Sequence, residues 1–262
     1  MANSTINEFA EAFVRLFYEG KADTSPTRSI STLSLDEAYL VQDSAIQLRT
    51  ERGEKVIGYK VGCTSRAIRQ QFGLQEPIHG RLLEPHVHAD GSELLCDAFT
   101  DCALEPEFVL CLGRDIRDAE LADSDLIKAI DYVSAGIEVH NYRFWFGKPS
   151  SQELIASNGI HACVVVGVDK IKATAVDFLG ADVSLFVNDQ LMAMGPGSEI
   201  MNGGGPMASV RWLAGSLIRR GTYLRAGQLI IPGSPVRLIS VGPGSVARAS
   251  LAGVGIARAV FS

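Results

Sequence analysis

The sequence runs to 262 residues, 47% of them hydrophobic and 21% charged, with a net charge of −6. That is enough chain to bury a sizeable core, as one domain or as one domain with a small helical cap. The acidic balance and the lack of basic runs speak against nucleic acid or an anionic membrane as a partner, and no apolar run approaches the ~18 residues of a membrane-spanning helix.

Thr5-Ile6-Asn7-Glu8 fits a capping box, and Ile6, Phe9, Phe13, Leu16 and Phe17 recur at helical spacing, which predicts a first helix. The same stretch lacks the basic-then-apolar layout of a secretion signal. The five cysteines show no C-x-x-C pairing, so reduced thiols in a cytoplasm are expected. After a polar connector, Ser34-Leu35-Asp36-Glu37 is a second capping box, opening a helix that should stop at Gly53. Residues 56–62 predict a short strand, and Thr64 is expected to cap a helix ending at Gly73.

Beyond residue 80 the pattern changes. Residues 104–112 predict a strand and residues 124–135 a helix, with Leu126, Ile127, Ile130 and Val133 on one face. Residues 137–140 and 162–168 predict further strands. Val183, Leu185 and Val187 alternate up to Asn188-Asp189, which predicts a hairpin. Pro206 suits the first turn of a helix ending at Gly221, and short strands around a Gly242-Pro243-Gly244 turn follow. The fold class read from this pattern is α+β: a helical N-terminal cap region over residues 1–75, then a mostly β catalytic body over residues 76–262.

The chemistry concentrates in Leu104-Glu105-Pro106-Glu107-Phe108. On a strand, Glu105 and Glu107 project from the same side. Side-by-side carboxylates repel, and a divalent cation with oxygen ligands resolves the repulsion. Glu138, in Gly136-Ile137-Glu138-Val139-His140, is placed to add a third acid. The same pattern also fits a solvated edge strand carrying ordinary acids. Lys60 sits in the glycine-flanked apolar stretch Gly58-Tyr59-Lys60-Val61-Gly62, either buried beside carboxylates or facing outward on a half-exposed strand. His86 and His88 fall in a turn context, His79 and His140 read equally well as structural histidines, and His161 as a strand start. The glycine clusters match neither a phosphate loop nor a serine-hydrolase elbow.

Taken together, several segments resemble the 2-keto-4-pentenoate hydratase and 4-oxalocrotonate decarboxylase group of the fumarylacetoacetate hydrolase superfamily. They are Gly58-Tyr59-Lys60-Val61-Gly62-Cys63-Thr64-Ser65, Leu104-Glu105-Pro106-Glu107, Gly136-Ile137-Glu138-Val139, Ile155-Ala156-Ser157-Asn158-Gly159, the stretch over 205–214 and the stretch over 224–234. Each is modest alone, and their order and spacing are what is specific. The resemblance implies a mixed β-roll body, of the fumarylacetoacetate hydrolase C-terminal kind, behind a small helical domain. It implies Mg²⁺ or Mn²⁺ held by Glu105, Glu107 and Glu138, an active-site role for Lys60, and substrate contacts by Ser157 and Asn158. Arg143, whose planar fork suits a carboxylate, is a further substrate-binding candidate, or else an exposed loop arginine.

The implied reaction is hydration of a 2-hydroxy-2,4-dienoate or 2-oxo-4-enoate. The alternatives are decarboxylation of the 4-oxalocrotonate type, acylpyruvate-type C–C hydrolysis, or an inert partner subunit. A small 2-oxo or 2-hydroxy acid is the expected partner, with a homo-oligomer and a complex with a related subunit as further expectations. The sequence departs from the resemblance after Pro77. Many relatives carry an acid and an aromatic residue there; this chain has Ile78-His79-Gly80, making His79 the candidate replacement for the acid.

Overall fold

The computed structural model describes residues 2–19, 27–141 and 149–262. Its helices are α1 (Ala2–Glu19), α2 (Leu35–Glu51), α3 (Arg66–Phe72), α4 (Asp123–Ala129), α5 (Ser151–Ala156) and α6 (Gly205–Arg219). The strands are β1 (Val56–Gly62), β2 (Ile78–Leu83), β3 (Val87–Ala89), β4 (Ser92–Leu94), β5 (Cys102–Leu112), β6 (Ile130–Asn141), β7 (His161–Val166), β8 (Asp182–Val187), β9 (Gln190–Pro196), β10 (Leu229–Ile231), β11 (Ile239–Ser240), β12 (Ser245–Leu251) and β13 (Gly255–Phe261).

Several local signals act as the sequence predicts. Ser34 and Glu37 form both bonds of a capping box at α2, and Gly53 past its end takes a positive φ of 97°. Asn188 and Asp189 both have positive φ, the geometry of a tight β8–β9 hairpin. Three boundaries differ. α1 begins before the Thr5–Glu8 box, and the Glu8 carboxylate instead takes a bond from Ser4 one helical turn back. α3 is capped by Ser65 rather than Thr64. The helix expected over 124–135 stops at Ala129, and Ile130 already begins β6. From there Val133, Ala135, Ile137 and Val139 alternate into the core against β5, and long-range pairing overrides a helical spacing that was a coincidence.

One sheet has the order β2-β1-β10-β5-β6-β7-β3, with β11 also paired to β5; the other runs β4-β13-β12-β8-β9. The even-numbered residues Leu104, Phe108, Leu110 and Leu112 of β5 bury one face of the larger sheet in a core shared with Val183, Ala249, Ala257 and Phe261 of the smaller one. The opposite face is curled inward. Leu82 of β2, Ile231 of β10, Val109 of β5 and Val164 of β7 meet in a single fully buried cluster, although β2 and β7 lie far apart in strand order. Mixed α and β elements with curled sheets are thus the architecture.

α4 and α6 pack into the main core through Leu126, Ala129, Val210, Leu213 and Leu217. α1, α2, Ile78 and the α5 residues Leu154, Ile155 and Ala156 share one core. β1, within the stretch expected to be helical cap, pairs with β10 and β2 in the large sheet.

Candidate metal centre and active site

Antiparallel pairing sets Glu105 of β5 directly opposite Glu138 of β6, and Glu107 opposite Gly136. With period-two alternation, Glu105, Glu107, Glu138 and His140 all project into the curl, while their odd–even neighbours fill the core behind. Gly136 is needed here, because a Cβ would lie 2.5 Å from Val109 Cγ2. Lys60 reaches the same face from β1. Its Nζ lies 3.2 Å from Glu138 Oε1 and donates to the Gly159 carbonyl at 3.3 Å. The carbonyl is presented by Asn158, Gly159 and Ile160, three consecutive residues with φ between +53° and +66°. Left-handed backbone at a β-branched residue is costly and is held only by its surroundings.

His161 Nδ1 lies 2.8 Å from Glu138 Oε1. His140 Nε2 lies 3.0 Å from Glu105 Oε2 and 3.5 Å from Glu138 Oε2. Glu107 accepts the Gly233 N–H at 3.1 Å through Oε2. Glu107, Glu138, Lys60, His140 and His161 are all buried, and only Glu105, its side chain 21% exposed, opens toward solvent.

The electrostatics follow from this crowding. Burial, then Glu138 and Glu105, raise the Glu107 carboxyl well above its ordinary range. Burial also works against charge on Glu138, but His140, Lys60 and His161 outweigh it and hold that carboxyl far below the usual range. On Lys60, burial favours the neutral amine, yet Glu138, Glu105 and Glu107 together raise its pKa, so it is an ammonium. Burial pushes the nearby Cys63 thiol up to about 11, which leaves it unreactive.

The residues fit a divalent cation. Glu107 Oε1 and Glu138 Oε2 are buried without a hydrogen-bond partner, which is costly unless a ligand completes them. One ligand atom each from Glu105, Glu138 and His140 lies within 4.8 Å of the others. Glu107 stands beside that compact set, not inside it.

The other residues singled out from sequence divide. Asn158 is buried, but both ends of its amide are used: Oδ1 accepts the Arg81 N–H at 2.6 Å and Nδ2 donates to the Arg81 carbonyl at 2.9 Å. The Ser157 hydroxyl donates to Leu154 O and accepts from Ile160 N–H. These bonds shape the turn that carries Gly159. Arg143 lies outside the described residues. His79 is not brought to the carboxylates. It pairs with Val61, one register position from the Lys60–Gly80 pair, so it projects from the other side of the sheet among Tyr39, Tyr59 and Trp212. Its neighbour Ile78 faces the Lys60 side instead. From sequence His140 is well placed beside Glu138 but reads equally as a structural histidine, and His161 reads as a strand start; the period-two rule that joins Glu105 to Glu107 also joins Glu138 to His140.

Fold and site together define a curled-sheet protein with a buried, carboxylate-rich cluster whose donor set fits a divalent cation. The fold is that of a fumarylacetoacetate hydrolase from Exiguobacterium antarcticum, at a TM-score of 0.61 and 15% identity over 79% of this chain and 75% of that one. The chain matches no protein-family model. It nevertheless resembles the 2-keto-4-pentenoate hydratase and 4-oxalocrotonate decarboxylase group along its whole length. It is 28% identical over 254 residues to a 2-keto-4-pentenoate hydratase of Paraburkholderia xenovorans strain LB400, covering 97% of this chain and 94% of the relative. It superposes at a TM-score of 0.94 and 26% identity on a 4-oxalocrotonate decarboxylase from Pseudomonas putida G7, solved with magnesium and adipate, covering 100% and 99% of the two chains.

Proposed function

We propose that this chain is a divalent-cation-dependent hydro-lyase. It adds water to a 2-hydroxy-2,4-dienoate, or its 2-oxo-4-enoate tautomer, to give a 4-hydroxy-2-oxo acid, as in meta-cleavage catabolism of aromatic compounds. One observation carries the reading: a cluster of three glutamates, two of them buried with an orphaned oxygen each, joined by an ammonium, in a chain similar from end to end to hydratases.

In this reading Glu105, Glu107 and Glu138 hold Mg²⁺ or Mn²⁺. Bound there, the cation supplies Lewis acidity for a 2-oxo acid. Lys60 has three N–H donors. Glu138 and Gly159 take two, and the third is free to hold a substrate anion or to deliver a proton. His161 fixes Glu138 from behind, and the apolar floor of Leu82, Val109, Val164 and Ile231 keeps water out of the curl. His79 has no path to this face, so proton delivery falls to Lys60.

Decarboxylation is the second reading, favoured by the close superposition on the decarboxylase. Mass spectrometry of products separates the two, using purified protein with Mg²⁺ on 2-hydroxypenta-2,4-dienoate and on a 4-oxalocrotonate-type diacid. Cation-dependent gain of water on the first supports the hydro-lyase. Carbon dioxide lost from the second, with no hydration of the first, replaces it with the decarboxylase. A chain that binds no divalent cation would instead be an inert partner subunit. We further propose a cytoplasmic homo-oligomer, checked by light scattering. Among the described residues no helix is long and apolar enough to cross a membrane.

A further inference from the structure

We propose that His140 is itself a metal ligand, and that its Nε2 turns the carboxylate site into a mixed oxygen–nitrogen centre that selects a transition ion such as Mn²⁺ over Mg²⁺. The inference rests on the cation reading above and goes beyond it in naming the donor set and the selectivity.

Strand geometry supplies the first argument. Glu138 and His140 are two apart on β6, and Glu105 faces Glu138 across the ladder, so the three side chains leave one patch of sheet on one side. The distances supply the second. Two donors each about 2.1 Å from one ion and at right angles stand about 3.0 Å apart. His140 Nε2 is 3.0 Å from Glu105 Oε2 and 3.5 Å from Glu138 Oε2. Both separations match donors that share one ion.

The pattern of used and unused atoms supplies the third. Lys60 and His161 both engage Glu138 Oε1. They leave Oε2, fully buried and without a hydrogen bond, on the side of His140. The imidazole turns Nε2, not Nδ1, toward both carboxylates. His161 is set differently: its Nδ1 lies against Glu138 Oε1, the oxygen that Lys60 also engages, where it orients that ligand, and its Nε2 is buried without a hydrogen bond.

The selectivity follows from ligand chemistry. Mg²⁺ holds to all-oxygen octahedra, whereas an imidazole nitrogen is a ligand of the first-row transition ions, with a gain smallest for Mn²⁺ and larger for Fe²⁺ and the ions after it. Losing the nitrogen should therefore weaken Mn²⁺ binding more than Mg²⁺ binding.

Pulsed electron paramagnetic resonance of the full chain loaded with Mn²⁺ reads the donor atoms directly, independent of turnover. Nitrogen hyperfine coupling is expected in the wild-type protein, lost in His140→Gln and kept in His161→Gln. Titration calorimetry should show the preference for Mn²⁺ over Mg²⁺ falling about tenfold or more in His140→Gln. Bound Mn²⁺ without nitrogen coupling in the wild type, or coupling that survives in His140→Gln, removes His140 from the ligand set and leaves the cation reading standing. A wild-type protein that binds neither Mn²⁺ nor Mg²⁺ overturns both. Should His140→Gln fail to fold, the wild-type spectrum beside that of His161→Gln still decides, since coupling lost in His161→Gln assigns the nitrogen to His161 and overturns the proposal.

Discussion

His79 and His140 are buried histidines on strands of the same sheet, facing opposite sides of it. His140 stands among carboxylates, against the unpartnered Oε2 of Glu138. His79 stands among Tyr39, Tyr59 and Trp212, with both ring nitrogens unpartnered. Burial, then Arg81, Arg220 and Arg219, lower its pKa to about 3. The contrast shows that burial alone does not make a functional group. The partners across the ladder decide whether a ring becomes part of a centre or part of the packing.

The largest effect should come from Lys60→Met. It removes the one ammonium from a cluster of carboxylates, and breaking a buried pair this way costs about 3–5 kcal/mol. Turnover should fall at least about 100-fold, and chemical denaturation of the cation-free protein should show the lost stability. A variant with wild-type turnover would remove Lys60 from the chemistry.

Glu107→Gln separates function from stability on the same face. Cation affinity and turnover should drop at least about 100-fold, because a proposed ligand is replaced by an amide. The cation-free protein should melt higher, since a carboxyl that burial and two like charges disfavour is gone. Full activity in this variant without added cation would end the metal assignment.

Asn158→Ala tests the turn that holds Lys60 in place. It deletes both amide bonds to Arg81 and leaves alanine at a φ of 64°, a loss of about 2 kcal/mol. Equilibrium unfolding measures it, and a change below about 0.5 kcal/mol would show that the turn is held by other contacts.

The smallest effect is expected on the other face. His79→Phe should leave turnover within about threefold and alter only the acid response. The unfolded chain takes up a proton at His79 near its ordinary 6.5, while the folded chain resists until about 3. The unfolded state therefore binds more protons in that window. The contribution of His79 to stability is complete above 6.5 and is lost as pH falls toward 3. The variant should show a shallower fall in melting temperature on acidification than the wild type. A loss of turnover comparable to that of Lys60→Met would restore His79 to proton transfer and erase the contrast between the two rings.

Much of this was legible from residues alone. The α2 capping box, the Asn188-Asp189 hairpin and the strand bearing Glu105 and Glu107 depend on neighbours within a few positions, and local geometry settles them. The similarity to hydratases follows the order of short segments, which the sequence carries by itself. Tertiary structure decided which side of the sheet each residue faces and what meets it there. His79 sits one register position from a residue that would have reached the site, and only pairing with β1 fixes that register. β6 begins at Ile130 because β5 offers a full-length partner, a contact no window of sequence contains. Gathering Lys60, Glu105, Glu138 and His140, drawn from three strands, required the sheet to curl, and that curl comes from pairings between residues distant in the chain.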